Sequence, residues 1–370
     1  MNAPTDLAHD AIVGRRWIVM VATARDGAGG IASVIATYAA DGLFLRWPIM
    51  TLDSHVTGAQ WRKLAAFLSA LARFTALLLG RRVGLLHVHA SSGPSFWRKT
   101  CFALLALMFR RPVLLHIHSG EFMAFYTARC GPIRQRVVRY VFEHSTRVIA
   151  LSASWRDRIL SIAPRANVVC IPNPVIVAEG KPRQLRQRIV LFLGKICDEK
   201  GVFDLIEAWR QVQSHFDGAR LILAGNGEIE RARAHINRLR LTDSIELPGW
   251  VSGEQKNALL AKADVCVLPS YFEGMPMSIL EAFGSGLPCV ATTVGGIPDM
   301  MSNGIEGRLI RPGDIQALAD ALVDVLADEA RYAAMSQAAL ARFVSHYAAA
   351  VVIPKLENLY SSLGMTPKQT

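Results

Sequence analysis

The chain has 370 residues, of which 51% are hydrophobic and 19% charged, and its formal net charge is +11. This length predicts two domains that each bury a full core, and the composition excludes a disordered chain. The six cysteines form no Cys-x-x-Cys pair, which favours buried free thiols in a reducing compartment over a disulfide framework or a metal site.

Neither a secretory leader nor a membrane span is predicted. Residues 1–10 lack the basic segment of a leader. Two apolar stretches, 64–79 and 101–109, fall short of the roughly 20 apolar residues that a spanning helix needs, because Arg73 interrupts the first and the second is short. We therefore expect a cytoplasmic protein.

The positive charge is confined to the first half of the chain. Residues 1–180 contain 21 Lys and Arg against 9 Asp and Glu, whereas residues 181–370 contain 20 against 21. This asymmetry predicts a surface that meets an anionic partner. Nothing resembles a nucleic-acid module, so an anionic membrane leaflet is favoured. The basic residues flank apolar runs that contain the aromatic side chains Trp61, Phe67, Trp97 and Phe102. The alternative is that these runs are core helices and that their arginines are simply solvated.

Strands alternate with helices along the first half. Buried strands are predicted at 17–22, 43–47, 83–88, 112–117, 147–151 and 168–171. Helices are predicted at 31–40, 57–79 and 134–143, another is opened by residues 91–99 and runs to 109, and a serine-capped helix starts at Ser152. The alternation predicts a parallel, doubly wound sheet, and Gly, Pro and charged residues at 180–188 predict an interdomain linker.

A glycine-rich turn follows the first predicted strand. Gly27, Gly29 and Ala32 formally match the dinucleotide-binding fingerprint, which alone is a weak signal. The fingerprint needs an acid about 20 residues later, at the end of a second strand. Asp41 comes too early and Asp53 lies among turn-like residues. A flexible turn and a site of backbone approach to phosphates are the alternatives.

Two histidines end the strand predicted at 112–117. His116 and His118 are two residues apart and share a face of the strand, but a metal needs further ligands, and none stands at a recognisable spacing. The sequence therefore predicts no metal site. A buried, hydrogen-bonded histidine and a ligand contact remain as the alternatives for His118.

The second half repeats the alternation. Strands are predicted at 189–193, 220–224, 245–247, 265–268, 287–291 and 307–310. Helices are predicted at 202–213, 276–284, 314–326, 329–345 and 351–363. Lys195 and Lys200 follow the first of these strands, either as solvated charges or as groups that neutralise phosphates. Ligands of open α/β sheets bind at the carboxyl ends of strands.

The stretch from Ser270 to Glu281 carries the strongest chemical signal. A turn with Glu273 leads from a buried strand into a helix near Pro276, a residue favoured in a first helical turn. Carboxylates accept hydrogen bonds from a sugar diol, and helix N-terminal amides favour anionic oxygen. Together these groups suit a nucleotide-sugar. The alternative is that Glu273 caps the helix and Glu281 is solvated.

With their neighbours, these glutamates resemble the Glu-x7-Glu motif of retaining GT-B glycosyltransferases, specifically glycosyltransferase family four, whose pattern residues 189–326 follow. Gly194-Lys195 resembles the start of the family's phosphate-binding segment, with Lys in place of the commoner Arg, which loses the planar fork. The resemblance implies an α/β fold of two Rossmann-like, doubly wound parallel-sheet domains facing across a cleft. These would be residues 1–176, completed by a C-terminal helix at about 346–370, and residues 177–345.

The resemblance also implies an activity. A hexosyl group would pass, with retention, from a UDP- or GDP-linked sugar to a hydroxyl of a glycan or lipid-linked acceptor, in exopolysaccharide or cell-surface glycan synthesis and without metal or cofactor. The implied catalytic residues are His118, Glu273, Lys195 and Lys200. The implied donor-binding residues are Gly29, Gly30, Gly194, Asn226, Trp250, Val251, Gly274, Met275, Pro276, Met277 and Glu281. Two alternatives stay open: a non-catalytic sugar-nucleotide-binding subunit and an NAD(P)-dependent oxidoreductase.

Overall fold

The computed structural model describes residues 16–23, 29–54, 59–177 and 180–368, and its first sheet has six parallel strands. The strands are β1 (Trp17–Ala22), β2 (Ile49–Asp53), β3 (Val83–Ala90), β4 (Val113–Ile117), β5 (Arg147–Ala150) and β6 (Val168–Cys170). The helices are α1 (Gly30–Ala40), α2 (Leu43–Arg46), α3 (Gln60–Leu79), α4 (Pro94–Met108), α5 (Phe122–Arg129), α6 (Pro132–His144) and α7 (Ala153–Ile162). The spatial order is β2-β1-β3-β4-β5-β6, with helices on both faces.

The second sheet is also six-stranded and parallel. Its strands are β7 (Ile189–Leu193), β8 (Arg220–Ala224), β9 (Ile245–Gly249), β10 (Val265–Leu268), β11 (Cys289–Thr292) and β12 (Gly307–Ile310). The helices are α8 (Val202–His215), α9 (Ile229–Leu239), α10 (Gly253–Lys262), α11 (Met277–Gly284), α12 (Ile297–Met300), α13 (Ile315–Ala327), α14 (Glu329–His346) and α15 (Ala349–Ser362). The spatial order β12-β11-β10-β7-β8-β9 reverses direction between β7 and β10, the point where ligands of open sheets bind.

The predicted fold class is confirmed: two Rossmann-like parallel sheets with their helices make an α/β protein. Strands such as β7 are apolar along their whole length because both faces are covered, and all five of its residues are buried. The six free cysteines predicted from the sequence include four that are buried. Among the described residues, no helix combines the length and the apolar character that crossing a bilayer requires.

Helix α15 returns to the first sheet. Val352, Leu356 and Tyr360 lie in one buried cluster with Ile18 and other residues of the first sheet. Each fully buried aliphatic side chain of this kind contributes about 1.5–3 kcal/mol. The chain therefore crosses between the sheets twice. The two crossing segments pair at an isolated bridge between residues 175 and 348, and the division after residue 176 stays a prediction.

The strand predicted at 43–47 is wrong. Those residues begin with the short helix α2, which Gly42 starts in a left-handed conformation (φ 81°). The strand begins only after Pro48, which has no N–H to give to a ladder but whose carbonyl accepts a hydrogen bond of 2.9 Å from the Ile18 N–H. The predicted strand is therefore a helical turn, and the true strand β2 starts at Ile49.

A second correction concerns Asp53. It ends β2, which pairs with β1, and so lies where the dinucleotide fingerprint places its acid rather than among turn residues. Gly27 lies outside the described residues, as does the start of the helix predicted from 57. Apart from α2, four helices were not assigned from the sequence: α5, α9, α10 and α12.

Candidate active site

A cavity of about 1070 Å³ lies between the two sheets at the carboxyl ends of their strands. Its walls include every residue that the sequence assigned to catalysis or donor binding, from Gly29 and His118 in the first half to Glu281 in the second. Residues separated by more than 250 positions therefore share one solvent-filled space. Their individual roles stay predictions.

The centre of the second-half wall is a lysine–glutamate pair. Lys200 Nζ lies 2.6 Å from Glu273 Oε1, and the Ser270 hydroxyl donates to the same oxygen over 2.7 Å. The Glu273 carboxylate is almost fully buried, whereas the Lys200 ammonium is about a quarter exposed. The lysine reaches this position because Gly201 (φ 66°) turns the chain beside β10: a Cβ there would lie 2.1 Å from the Pro269 carbonyl oxygen.

The loop that carries Glu273 is supported by the glycine-rich turn after β11. The Thr292 hydroxyl donates to the Ser270 carbonyl over 2.6 Å, and the Gly296 N–H donates to the Gly274 carbonyl over 3.0 Å. Gly295 (φ 58°) packs so closely that a Cβ would lie 1.7 Å from the Glu273 carbonyl oxygen. This turn therefore fixes the Glu273 backbone.

Glu281 has a partner that the sequence analysis missed. Lys256 Nζ, from helix α10, lies 2.6 Å from Glu281 Oε1, and both side chains line the cavity. Helix α10 was not assigned from the sequence, and no spacing links a lysine to a glutamate 25 positions later. A systematic search for residues at the carboxyl edge of β9 would have found it.

The loops after β7, β8 and β9 form the remaining second-half wall. They supply Gly194, Lys195, Asn226, Trp250 and Val251. A Cβ on Gly225 would lie 1.6 Å from the carbonyl oxygen before Lys195, so only glycine lets these turns approach. Trp250 is half exposed, which leaves its ring available to a planar ligand.

The first-half wall approaches the second through glycines. A Cβ on Gly30 would lie 3.9 Å from the Met277 side chain. A Cβ on Gly120, two residues after His118, would lie 2.1 Å from the Glu273 carbonyl carbon and 2.5 Å from the Gly274 nitrogen. The two halves therefore meet backbone to backbone directly beside the predicted site.

A second histidine positions His118. The His118 Nε2 lies 2.9 Å from the Nδ1 of His89 on β3. Burial lowers the pKa of His118 to about 3, with an opposing contribution from the Asn173 side chain and a further lowering by the Lys99 ammonium. At neutral pH the imidazole is therefore uncharged, and it can orient a ligand without acting as a proton donor from the imidazolium form.

Three buried histidines lie together behind this site. The ring nitrogens of His87, His89 and His116 lie within 4.8 Å of one another, an association that the sequence missed because it requires two neighbouring strands. The Tyr360 hydroxyl already lies 2.7 Å from His87 Nδ1. Burial lowers the pKa of His89 well below its usual value, and the neighbouring histidines and Lys99 lower it further. The predicted absence of a metal stays a prediction.

Both halves of the chain match a family. Residues 11–174 match the family described as "Glycosyl transferase 4-like domain", and residues 187–328 match "Glycosyl transferases group 1". The chain belongs to the group 1 glycosyltransferases. The resemblance drawn from Glu273 and Glu281 is thereby confirmed, and with it the GT-B type of fold.

Two curated relatives of this group 1 family member illustrate the match. The glycogen synthase of Mycobacterium tuberculosis is 31% identical over 222 residues, which are 57% of this chain and 53% of that protein. The amylovoran biosynthesis glycosyltransferase AmsK of Erwinia amylovora is 26% identical over 219 residues, which are 56% of this chain and 54% of that protein. The chain spans about half the length of the curated relatives it matches.

Solved structures resemble the whole fold of this group 1 family member. The sucrose-phosphate synthase of Thermosynechococcus elongatus has a TM-score of 0.78 at 19% identity, covering 95% of this chain and 99% of that chain. HepE of Anabaena, in complex with UDP and glucose, has a TM-score of 0.73 at 17% identity, covering 94% of this chain and 100% of that chain. At these identities the likeness establishes the fold alone.

The Glu281 carboxylate gives a direct test of donor binding. Replacing Glu281 by alanine should lower donor affinity about tenfold to a hundredfold, because hydrogen bonds to a charged acceptor contribute roughly 1.5–3 kcal/mol. Isothermal titration with a nucleoside diphosphate measures it. Glu254→Ala, on the exposed side of α10, is the matched control and should bind as the wild type does. Unchanged affinity in Glu281→Ala would remove this residue from the donor site.

Proposed function

We propose that the protein transfers a hexosyl group, with retention of anomeric configuration, from a nucleoside diphosphate sugar to a hydroxyl acceptor in polysaccharide or other glycan synthesis. The observation that carries the proposal is the Lys200–Glu273 pair, which presents a cation and a carboxylate side by side in the cavity between the sheets. The names of glycogen synthase and of AmsK describe polysaccharide synthesis, which supports the acceptor class. HepE was solved with UDP and glucose, which supports a UDP-linked donor over a GDP-linked one.

The cavity residues suit the three parts of such a donor. Lys195 and Lys200 would neutralise the diphosphate, Glu273 would accept hydrogen bonds from sugar hydroxyls, and Glu281 from the ribose. Because Lys200 contacts Glu273 directly, the sugar–phosphate bond would lie above this pair. His118, neutral at neutral pH, would orient the sugar near its reacting carbon.

The proposed reaction proceeds on one face of the sugar. The bond between the anomeric carbon and the diphosphate oxygen breaks, and the acceptor oxygen bonds to the same face of that carbon. An oxygen of the departing diphosphate takes the acceptor proton, so that the products are a glycoside and a protonated nucleoside diphosphate. The two lysines stabilise the negative charge that develops on the leaving group, the kind of interaction that contributes most to catalysis.

A panel of UDP- and GDP-sugars tests the function. We expect one donor to release its nucleoside diphosphate in the presence of the protein, and the product glycoside to have the anomeric configuration of the donor by NMR. Binding of a donor without release in any acceptor mixture would favour a non-catalytic binding subunit. A change of NADH fluorescence on mixing would favour the oxidoreductase.

Catalysis should persist in EDTA. In this proposal the two lysines would supply the positive charge that metal-dependent enzymes take from a cation, so no divalent ion is expected to bridge the diphosphate. The measurement is the rate of nucleoside diphosphate release before and after chelation and dialysis. Loss of turnover that Mn²⁺ or Mg²⁺ restores would show that the lysines do not carry this duty.

We extend the proposal to the acceptor and its location. A lipid-linked or growing polysaccharide intermediate would reach the cavity at the inner leaflet of the plasma membrane, where the protein is a peripheral, cytoplasmic enzyme. The excess of positive charge in residues 1–180 supports an anionic surface as the partner.

A further inference from the structure

Helix α3 is apolar on the side that faces solvent. Its inward side packs Ala70, Phe74 and Leu78 into the core of the first sheet. Successive residues of an α-helix are about 100° apart, so eight positions from 61 to 79 fall on one stripe opposite this inward side. One of them is Thr75, which is part-buried and whose hydroxyl donates to the Leu71 carbonyl. The other seven are exposed and apolar, and we call them the α3 stripe: Trp61, Leu64, Ala65, Leu68, Ala72, Ala76 and Leu79.

The exposure of the large side chains on the α3 stripe is unusual for a soluble surface. Trp61 is 70% exposed and Leu79 is 69% exposed, with Leu64 and Leu68 above half. Exposed apolar residues are ordinarily scattered, and a contiguous patch indicates an interaction site. The stripe runs the full length of a helix of 20 residues, which is about 30 Å.

The surroundings of the α3 stripe are basic. Residues 54–120 contain nine Lys and Arg and no Asp or Glu. In the part of the chain that the structure describes, no ion pair neutralises the arginines on α3 or those that directly follow α3 and α4, which are Arg62, Arg73, Arg81, Arg82, Arg110 and Arg111. The partner that this surface fits is therefore negatively charged as well as apolar.

Of the four aromatic side chains that the sequence places in apolar runs beside basic residues, three do not face solvent. Phe102 is fully buried against Phe74, and Phe67 and Trp97 are half-buried, so these rings belong to the core. Trp61 is the ring of that set that faces solvent. On the neighbouring helix α4, Met108 is a further exposed apolar side chain, with 76% of its surface accessible.

We propose that the α3 stripe and its arginines dock the first domain on an anionic lipid leaflet. An apolar helix face with a basic border binds at the boundary between headgroups and acyl chains, where burial of apolar side chains and attraction to anionic headgroups both favour binding. Docking itself does not depend on the proposed function. Only the suggestion that the membrane presents the acceptor rests on it. Helix α3 follows the carboxyl end of β2, so its Trp61 end lies toward the cavity side of the sheet and a lipid-linked acceptor would reach the cavity from there.

Vesicle co-sedimentation of the full chain tests the docking. We expect binding to vesicles of phosphatidylcholine mixed with phosphatidylglycerol, little binding to phosphatidylcholine alone, and release as salt rises. Leu64→Gln/Leu68→Gln should weaken binding about tenfold or more, because each residue loses its burial in the bilayer. Arg81→Gln/Arg82→Gln should weaken it and flatten the salt dependence. Val344→Gln, which changes a side chain 57% exposed on α14, is the matched control and should bind as the wild type does.

Three results would overturn the proposal. These are equal binding to both kinds of vesicle, undiminished binding by Leu64→Gln/Leu68→Gln, and a concentration-dependent dimer by light scattering that this variant abolishes. The last would assign the stripe to a second copy of the chain. Donor hydrolysis measured on the same samples reports the proposed function separately, so that a protein that docks but releases no nucleoside diphosphate retains the docking and loses the transferase.

Discussion

Replacing Lys200 by methionine should lower turnover about a hundredfold to a thousandfold, the loss typical of removing one group that stabilises developing negative charge. The ammonium lies 2.6 Å from the Glu273 carboxylate, at the proposed junction of sugar and diphosphate. Charge on the diphosphate grows as the bond to the sugar breaks, so kcat should fall more than donor affinity. Steady-state kinetics together with titration of the donor measure the two effects.

The substitution also leaves a nearly buried carboxylate without its cation. We therefore pair it with Lys200→Met/Glu273→Gln, which removes the unpaired charge, and with thermal unfolding of both variants. The matched control is Lys262→Met, at the end of α10 and outside the cavity. A kcat close to the wild-type value in a folded Lys200→Met protein would exclude Lys200 from the chemical step.

Replacing Gly120 by alanine should lower turnover about a hundredfold while both halves remain folded. The new Cβ would lie 2.1 Å from the Glu273 carbonyl carbon, which is backbone and cannot move aside as a flexible side chain would. The first half must then shift away from the second by an ångström or more, and a misplacement of about 1 Å at reacting groups costs roughly a hundredfold. Circular dichroism and donor titration should change little, because donor contacts lie mainly in the second half.

Gly131→Ala is the control for this effect. Gly131 has φ −69° and a Cβ there would meet nothing within 4 Å, so the substitution should alter only local stability, by less than about 1 kcal/mol. Wild-type turnover by Gly120→Ala would show that the contact between the halves is not needed for the reaction.

The elements of the fold followed largely from local sequence. Apolar runs such as 220–224 are short and bounded by turn residues, so strand β8 was placed at its actual bounds. The region at 43–47 failed because a run of apolar residues broken by Pro48 fits a helix turn and a strand equally well, and the pairing of Ile49 with Ile18 decides between them. Pairing of that kind depends on the neighbouring strand, which local propensity does not contain.

The candidate site divides in the same way. Glu273, Glu281 and Lys200 were found from the sequence because each follows a strand that itself carries a clear pattern, and carboxyl ends of parallel strands share one edge. Lys256 was missed, since its ion pair with Glu281 joins the helices α10 and α11, which no spacing rule connects. His89 was missed as the partner of the cavity histidine, because hydrogen bonding between strands requires their register.

The sequence by itself determined the fold class, the family and the predicted catalytic and donor-binding residues that line the cavity, since these depend on periodicity, strand ends and short motifs. The tertiary structure alone decided how the halves meet through Gly120, and which face of α3 is left uncovered. Both depend on the position of a neighbour: contact at Gly120 requires the second sheet, and exposure of Trp61 and Leu79 requires that no helix packs on that side. Apolar periodicity identifies faces that avoid water, but only packing determines which of them the chain itself covers.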